Sequence, residues 1–120
     1  ITETTFVKQI QACEQVLNGM GLTSRPYFRF PYFAEEKHLM QIVTDQGYVT
    51  IGSAWTIEDT GPKRSVAFSV ATVRRFISPG VIFVGHANSM MTYDAMKVIL
   101  PELARQGYSF VSISELLRGR

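Results

Sequence analysis

The sequence predicts an α/β protein in which short parallel strands alternate with helices. Three observations carry this. Helical periodicity and short runs of β-branched and aromatic residues take turns along the chain, beginning and ending on a helix, with four strand segments between. Consecutive strand segments are separated by helix-length stretches, long enough for the right-handed crossovers that parallel strands need. The run Val81-Ile82-Phe83-Val84 is apolar without alternation, as expected of a strand covered on both faces.

Phe6, Ile10, Cys13, Leu17 and Met20 recur at steps of 4, 3, 4 and 3, which marks the buried face of a helix from about Thr5 to Asn18, stopped by Gly19 and Gly21. Cys13 on that face is expected in the core. Pro26 to Phe30 reads as an aromatic strand ended by Pro31. Glu35 to Gln46 is a second helix, with acidic residues in its first turn and Gly47 at its C-terminus. Tyr48 to about Trp55 is the next strand, and Thr56 to Arg64, which contains Gly61-Pro62, is a loop. Val66, Val70, Val73 and Ile77 space a third helix, stopped by Pro79-Gly80, and Val81–Val84 is the third strand. Tyr93 to Gln106 is a fourth helix that Pro101 should kink or divide. Tyr108 to Val111 is the last strand, and Ser112 with Glu115 has capping-box spacing before a terminal helix.

With 120 residues the prior is one domain, and 46% apolar residues suffice for a core. Four strands are half of an eight-stranded barrel, whose usual size is about 250 residues. The opening on a helix, with no strand before it, favours a part of a larger barrel over a small open sheet. The net charge is only +2, and no basic run exceeds the pairs Lys63-Arg64 and Arg74-Arg75, so nucleic-acid binding has little support. No segment approaches the roughly 18–20 apolar residues of a transmembrane helix. Dinucleotide, P-loop and nucleophile-elbow motifs are absent, as are a paired-cysteine zinc pattern and an H-x-x-x-H pair.

In parallel α/β proteins chemistry gathers where strands end. Arg29, Pro31 and Tyr32 follow the first strand, Glu58-Asp59 the second, and His86, Asn88 and Ser89 the third. Three ends facing the same way would bring a guanidinium, a carboxylate and an imidazole together. Taken singly, each has a plainer reading: Arg29 as a surface or packing residue, Asp59 as a turn former beside Gly61-Pro62, and His86 as a structural histidine. His38, beside Lys37 on the polar side of the second helix, is expected at the surface.

These residues resemble the C-terminal part of a polysaccharide deacetylase, the NodB-homology or carbohydrate esterase family 4 domain. Arg29-Phe30-Pro31-Tyr32 is similar to its Arg-x-Pro-Tyr motif, and Val84-Gly85-His86 to its Leu-x-His motif. Gly47-Tyr48 with Asp59 eleven residues beyond the tyrosine matches the spacing of the family's fourth motif. Gly107-Tyr108-Ser109-Phe110-Val111 with Ser114-Glu115-Leu116-Leu117 resembles the family's usual ending. Phe33, Thr60 and Val84 stand where glycine, tryptophan and leucine are usual. The motifs that supply the family's base aspartate and its metal-binding aspartate and histidines belong upstream of this chain.

The resemblance implies the C-terminal portion of a distorted (β/α) barrel and hydrolysis of an N-acetyl group on an amino-sugar polysaccharide, peptidoglycan or chitin-like. A divalent metal, usually zinc, would polarise the acetyl carbonyl, its ligands lying upstream. His86 would be the general acid, suited to that role because an imidazole titrates near neutrality, with Asp59 beside it. Arg29 would orient the missing base aspartate, and the Tyr32 backbone N–H would stabilise the oxyanion. Val84 would line the acetyl pocket, with Pro31 and Trp55 flanking the site. The family also implies an extracytoplasmic location. A partner is expected, either the missing N-terminal half or a second copy, because a half-barrel leaves a strand edge exposed. The rival expectation is a degenerate, non-catalytic module that binds glycan or serves structure. A weaker rival, an unrelated open-sheet regulator, would leave Arg29, Asp59 and His86 far apart.

Overall fold

In the computed structural model, which describes residues 1–119, helix α1 spans Glu3–Gly19. It starts where the Thr2 hydroxyl accepts the Thr5 N–H at 3.2 Å and stops before Gly21, whose φ of 74° favours glycine. The residues divide into two compact units, Ile1–Gly52 and the chain from Ser53 onward.

In the first unit, strand β1 (Tyr27–Phe28) pairs in parallel with β2 (Val49–Thr50), and helix α2 (Lys37–Asp45) connects them. Pro26 O accepts the Val49 N–H at 2.6 Å and Phe28 O accepts the Ile51 N–H at 2.7 Å, so the ladder's bonds extend one residue past each strand. Phe6 and Ile10 from α1 and Leu39 and Val43 from α2 close over Phe30 and Tyr48. The expected strand over 26–30 is shorter: Pro31 opens a 3₁₀ turn (Pro31–Phe33), and Phe30 leaves the ladder to become a core residue. Glu35 and Glu36 precede α2 and do not form its first turn.

The buried stripe of α1 also differs from expectation. Phe6, Ile10 and Glu14 are buried at i+4 steps, whereas Cys13 and Met20 are exposed. A carboxylate can take a core position only with its oxygens satisfied. Glu14 accepts the hydroxyls of Thr23, Ser24 (2.6 Å) and Tyr48 (3.1 Å) and the Ser24 N–H (3.1 Å). It thereby ties α1 to the segment that leads into β1.

In the second unit, β3 (Trp55–Thr56) pairs in parallel with β4 (Phe83–Val84), with Trp55 opposite Phe83. Ala54 N–H donates to Ile82 O at 3.1 Å and Ile57 N–H to Val84 O at 2.9 Å. The strand expected over 48–55 is thus two strands in two different ladders. Gly52 lies in the break, where a residue without a side chain weakens strand structure. Helix α3 (Val66–Phe76) packs on α4 (Met90–Arg105) through Val70, Val73, Ala95, Ile99 and Leu103, with Ile57 in the same cluster. Outside that core the Arg74 guanidinium grips Glu102 with two bonds, at 2.9 and 2.6 Å.

Helix α4 starts at Met90, earlier than Tyr93, because Ser89 caps it. It runs through Pro101 undivided; Pro101 is exposed, where a forfeited backbone bond is least costly. Val81–Val84 is half-buried, so it is not a strand covered on both faces, and only Phe83–Val84 is laddered. Tyr108–Val111 joins no ladder among the described residues. A cavity of about 330 Å³ is lined by Phe83, Ile99 and Tyr108–Val111, and Phe110 is 58% exposed. A strand needs an edge to pair with, and this segment does not reach one. The terminal helix α5 (Ile113–Leu117) carries the expected Ser112–Glu115 capping box. No helix among the described residues is long and apolar enough to cross a membrane.

Glu14 makes the first unit sensitive to acid. The Ser24 and Thr23 hydroxyls outweigh the cost of burial and lower its pKa from the usual 4.5 to about 2. A folded pKa below the unfolded one contributes stability that is complete above the unfolded value and lost as pH falls through the folded one. Thermal unfolding followed from neutral pH down to about pH 2 should show a falling Tm below about pH 4.5. In Glu14→Gln the Tm should be lower at neutral pH and this part of the acid slope should vanish.

Candidate functional site

The two ladders are parallel, so the chain leaves β3 and β4 on the same side of their sheet, and Asp59 and His86 follow those exits. The structure brings the pair together. The Asp59 side chain is 1% exposed and that of His86 52%. Asp59 Oδ2 accepts the backbone N–H of His86 at 2.6 Å and the Thr92 hydroxyl at 2.5 Å. Asp59 Oδ1 lies 2.9 Å from His86 Nδ1.

Burial alone would raise the Asp59 pKa, but the Thr92 hydroxyl, the His86 ring and the His86 N–H together outweigh it, and the carboxyl lies below its ordinary value. An ionised carboxylate only accepts hydrogen bonds, so Nδ1 carries the ring proton of a neutral His86. Nε2 then has no partner among the described residues, on a ring that is half open to solvent. One ring nitrogen therefore faces outward while the other is held by a buried carboxylate.

Two backbone features build this pair. Glu58 has φ 56°, uncommon for a residue with a side chain. At this turn Glu58 stays exposed, its carboxylate accepting the Thr56 hydroxyl at 2.7 Å, while Asp59 is buried. Gly85 precedes His86 at a close approach: a Cβ there would lie 2.6 Å from Ile57 Cδ1 and 3.1 Å from Ile57 Cγ1, so a larger residue would displace the Ile57 side chain.

Trp55 stacks on Phe76 of α3 with centroids 3.7 Å apart, leaving its ring 42% exposed. Val84 is half-buried in β4, its carbonyl taken by Ile57. Arg29, Pro31 and Tyr32 belong to the first unit. The Arg29 guanidinium lies 5.3 Å above the Phe33 ring and bonds Phe30 O at 3.4 Å. Tyr32 and Phe33 are consecutive left-handed residues, with φ 55° and 54°, and the Tyr32 ring is 97% exposed. The Tyr32 N–H has no acceptor among the described residues, as expected at the start of a turn. His38 is at the surface as expected, 3.7 Å from Glu36. Of the junction residues after β4, Ser89 is the cap of α4.

Thr92 was not legible as a site residue. A fourth helix read from Tyr93 leaves it outside any element. The usable signal was Ser89, a good N-cap that starts the helix at Met90 and makes Thr92 a first-turn residue. No group of three or more His, Cys, Asp or Glu side chains among the described residues could hold a metal ion.

Solved structures share this architecture. A family 4 acetyl xylan esterase from Clostridium thermocellum, in complex with a cobalt ion, superposes with a TM-score of 0.84 at 25% identity, over 98% of this chain and 57% of the other. The fold is that of carbohydrate esterase family 4. The Xyl-CE4 domain of a multidomain xylanase from the hindgut metagenome of Trinervitermes trinervoides gives 0.85 at 24% identity, over 98% and 57%. A mutant of a family 4 pseudoenzyme from Bacillus anthracis, with restored enzymatic activity, gives 0.86 at 24% identity, over 98% and 42%. The chain therefore spans about half the length of these family 4 structures. No protein-family model matches the sequence, and no curated protein does.

Within this fold the contact at Gly85 has a direct test. Gly85→Ala should lower stability by about 1–3 kcal/mol, the usual cost of overpacking. Ile57→Val removes the Cδ1 that the new methyl group meets and should recover part of the loss. Chemical denaturation of the two single variants and the double variant measures the coupling.

Proposed function

We propose that the chain is the C-terminal part of a metal-dependent carbohydrate deacetylase, a hydrolase of carbon–nitrogen bonds in acetylated amino-sugar polysaccharides. The observation that carries this reading is the Asp59–His86 pair, a buried carboxylate 2.9 Å from Nδ1 of a half-exposed imidazole at the exit of a parallel strand. In the reaction, water oxygen bonds to the acetyl carbon, the carbon–nitrogen bond breaks, and acetate and a free amine leave. Protonated His86 gives its Nε2 proton to the departing nitrogen. Asp59 holds the ring by Nδ1 and balances its charge. The Tyr32 N–H stabilises the oxyanion, Arg29 orients the base that takes the proton from water, and Val84, Pro31 and Trp55 line the substrate's path. The exposed Tyr32 ring and the unpartnered Tyr32 N–H support the role at the turn.

The described residues do not fit a divalent metal, because their ligand-type side chains do not gather. In this reading zinc or a similar ion sits on residues upstream of this chain; the acetyl xylan esterase solved with a cobalt ion supports the use of a divalent metal. The upstream segment is then the partner the chain needs, in preference to a second copy, and polysaccharide substrates of this kind imply an extracytoplasmic location.

A non-catalytic glycan-binding module is the second reading, favoured by the likeness to a pseudoenzyme, wild-type TM-score 0.84. The experiment is acetate release by a polypeptide carrying this chain with its upstream segment, supplied with zinc or cobalt. N-acetylated amino-sugar oligomers and O-acetylated xylan are offered in parallel. Turnover of the former with metal, lowered about 10²–10⁴-fold by His86→Ala at unchanged metal content, is expected. Turnover of xylan alone would move the substrate class to esters. Binding of glycan without turnover would establish the second reading.

A further inference from the structure

The carboxylate of Asp59 has two oxygens with different duties, and the difference traces to one hydroxyl. Oδ2 takes the His86 N–H at 2.6 Å and the Thr92 hydroxyl at 2.5 Å, whereas Oδ1 faces only Nδ1 at 2.9 Å. Thr92 stands in the first turn of α4, and its own N–H is held by the Ser89 cap at 3.4 Å. Its hydroxyl is thus presented from a helix terminus, not from a loop. We propose that Thr92 is a positioning residue that sets the tautomer of His86.

The argument is one of occupancy. A side-chain carboxylate can turn about its Cβ–Cγ bond and exchange its oxygens. Two strong donors on Oδ2 fix the plane and leave Oδ1 aligned with the ring. Without the Thr92 hydroxyl, Oδ2 keeps a single backbone donor in a side chain that is 1% exposed, so the carboxylate turns in search of a second partner. The bond to Nδ1 then weakens, and with it the preference for the proton on Nδ1. The early turn of α4 adds to the effect, since the positive end of a helix favours a carboxylate near its first turn. This deepens the proposed role of His86 and rests on that reading for its catalytic meaning, because with Nδ1 protonated against Asp59 the proton that the imidazolium gives up is the one on the outward Nε2. The placement of the ring proton itself is a property of this chain alone.

The test is nitrogen NMR of the polypeptide that carries this chain with its upstream segment, labelled in histidine and recorded where the imidazole is neutral, with thermal unfolding on the same samples. A His86→Gln sample identifies the His86 signals by their loss. The Nδ1–H form is expected in the parent. In Thr92→Val and Thr92→Ala it should give way to the Nε2–H form, and Thr92→Ser, which restores the hydroxyl, should return it. A folded Thr92→Val or Thr92→Ala chain with the parental tautomer would overturn the proposal, as would a Thr92→Ser chain that behaves like Thr92→Val. Unfolding of both hydroxyl-free variants would also overturn it, since the hydroxyl would then serve the fold. The deacetylase reading fails at acetate release and this one at the ring proton, so each can fall alone.

Discussion

An ionised carboxylate withdrawn from water must find donors for its oxygens, and that requirement at Asp59 organises the second unit. Left unpaired in an interior, such a charge costs several kcal/mol. Three donors meet it, and each comes from a place that the backbone had to prepare. The left-handed Glu58 marks the turn at which Asp59 is buried. The glycine at 85 keeps a Cβ out of the Ile57 side chain, one residue before the N–H of His86 that reaches Oδ2 at 2.6 Å. The Ser89 cap starts α4 early enough for Thr92 to reach the same oxygen.

The ladders themselves could not impose this order. Each contains two residues per strand, and an isolated two-stranded sheet is marginal in water. Stability in each unit comes instead from helices closing on those short strands. Phe6 and Val43 meet over Phe30 in the first, and Val70 and Val73 meet Ile99 and Leu103 over Ile57 in the second. The strands then act as rulers: their parallel register places the residues that follow them on one side, while packing supplies the free energy.

Elements with a strong local signal were legible in the sequence for this reason. The helices follow from periodicity and from caps at Ser112 and Gly21, which are local chemistry. The strands were legible as segments but not as ladders, because pairing depends on a partner that no local window contains. Tyr48–Trp55 looks continuous yet serves two ladders, and Tyr108–Val111 has strand composition but joins no ladder among the described residues. In α1 the apolar spacing pointed to Cys13, but Glu14 is buried because Thr23, Ser24 and Tyr48 satisfy it, and that exchange is visible only in three dimensions. At the site, Asp59 and His86 were readable as the polar residues beyond apolar strands. Thr92, 33 positions from Asp59, was not, since its role depends on where a helix begins.

The two buried carboxylates among the described residues differ in what their hydrogen-bond partners can pass on. Glu14 and Asp59 are both held ionised by hydrogen bonds that outweigh their burial. The partners of Glu14 are three hydroxyls and a backbone N–H, groups that lend a hydrogen bond and keep their protons. Its charge is therefore spent within the fold, fastening α1 to β1. Among the partners of Asp59 is an imidazole, which has a second nitrogen on the far side of the ring. A proton bound at Nδ1 against the carboxylate leaves Nε2 facing outward, so a carboxylate that is 1% exposed is linked to the surface through a side chain that is 52% exposed. Fold likeness is equally high to an esterase and to a pseudoenzyme, TM-score 0.84 for each, and cannot choose between them. What bears on that choice is local: the outward Nε2 of a half-exposed ring whose Nδ1 is held by a buried carboxylate.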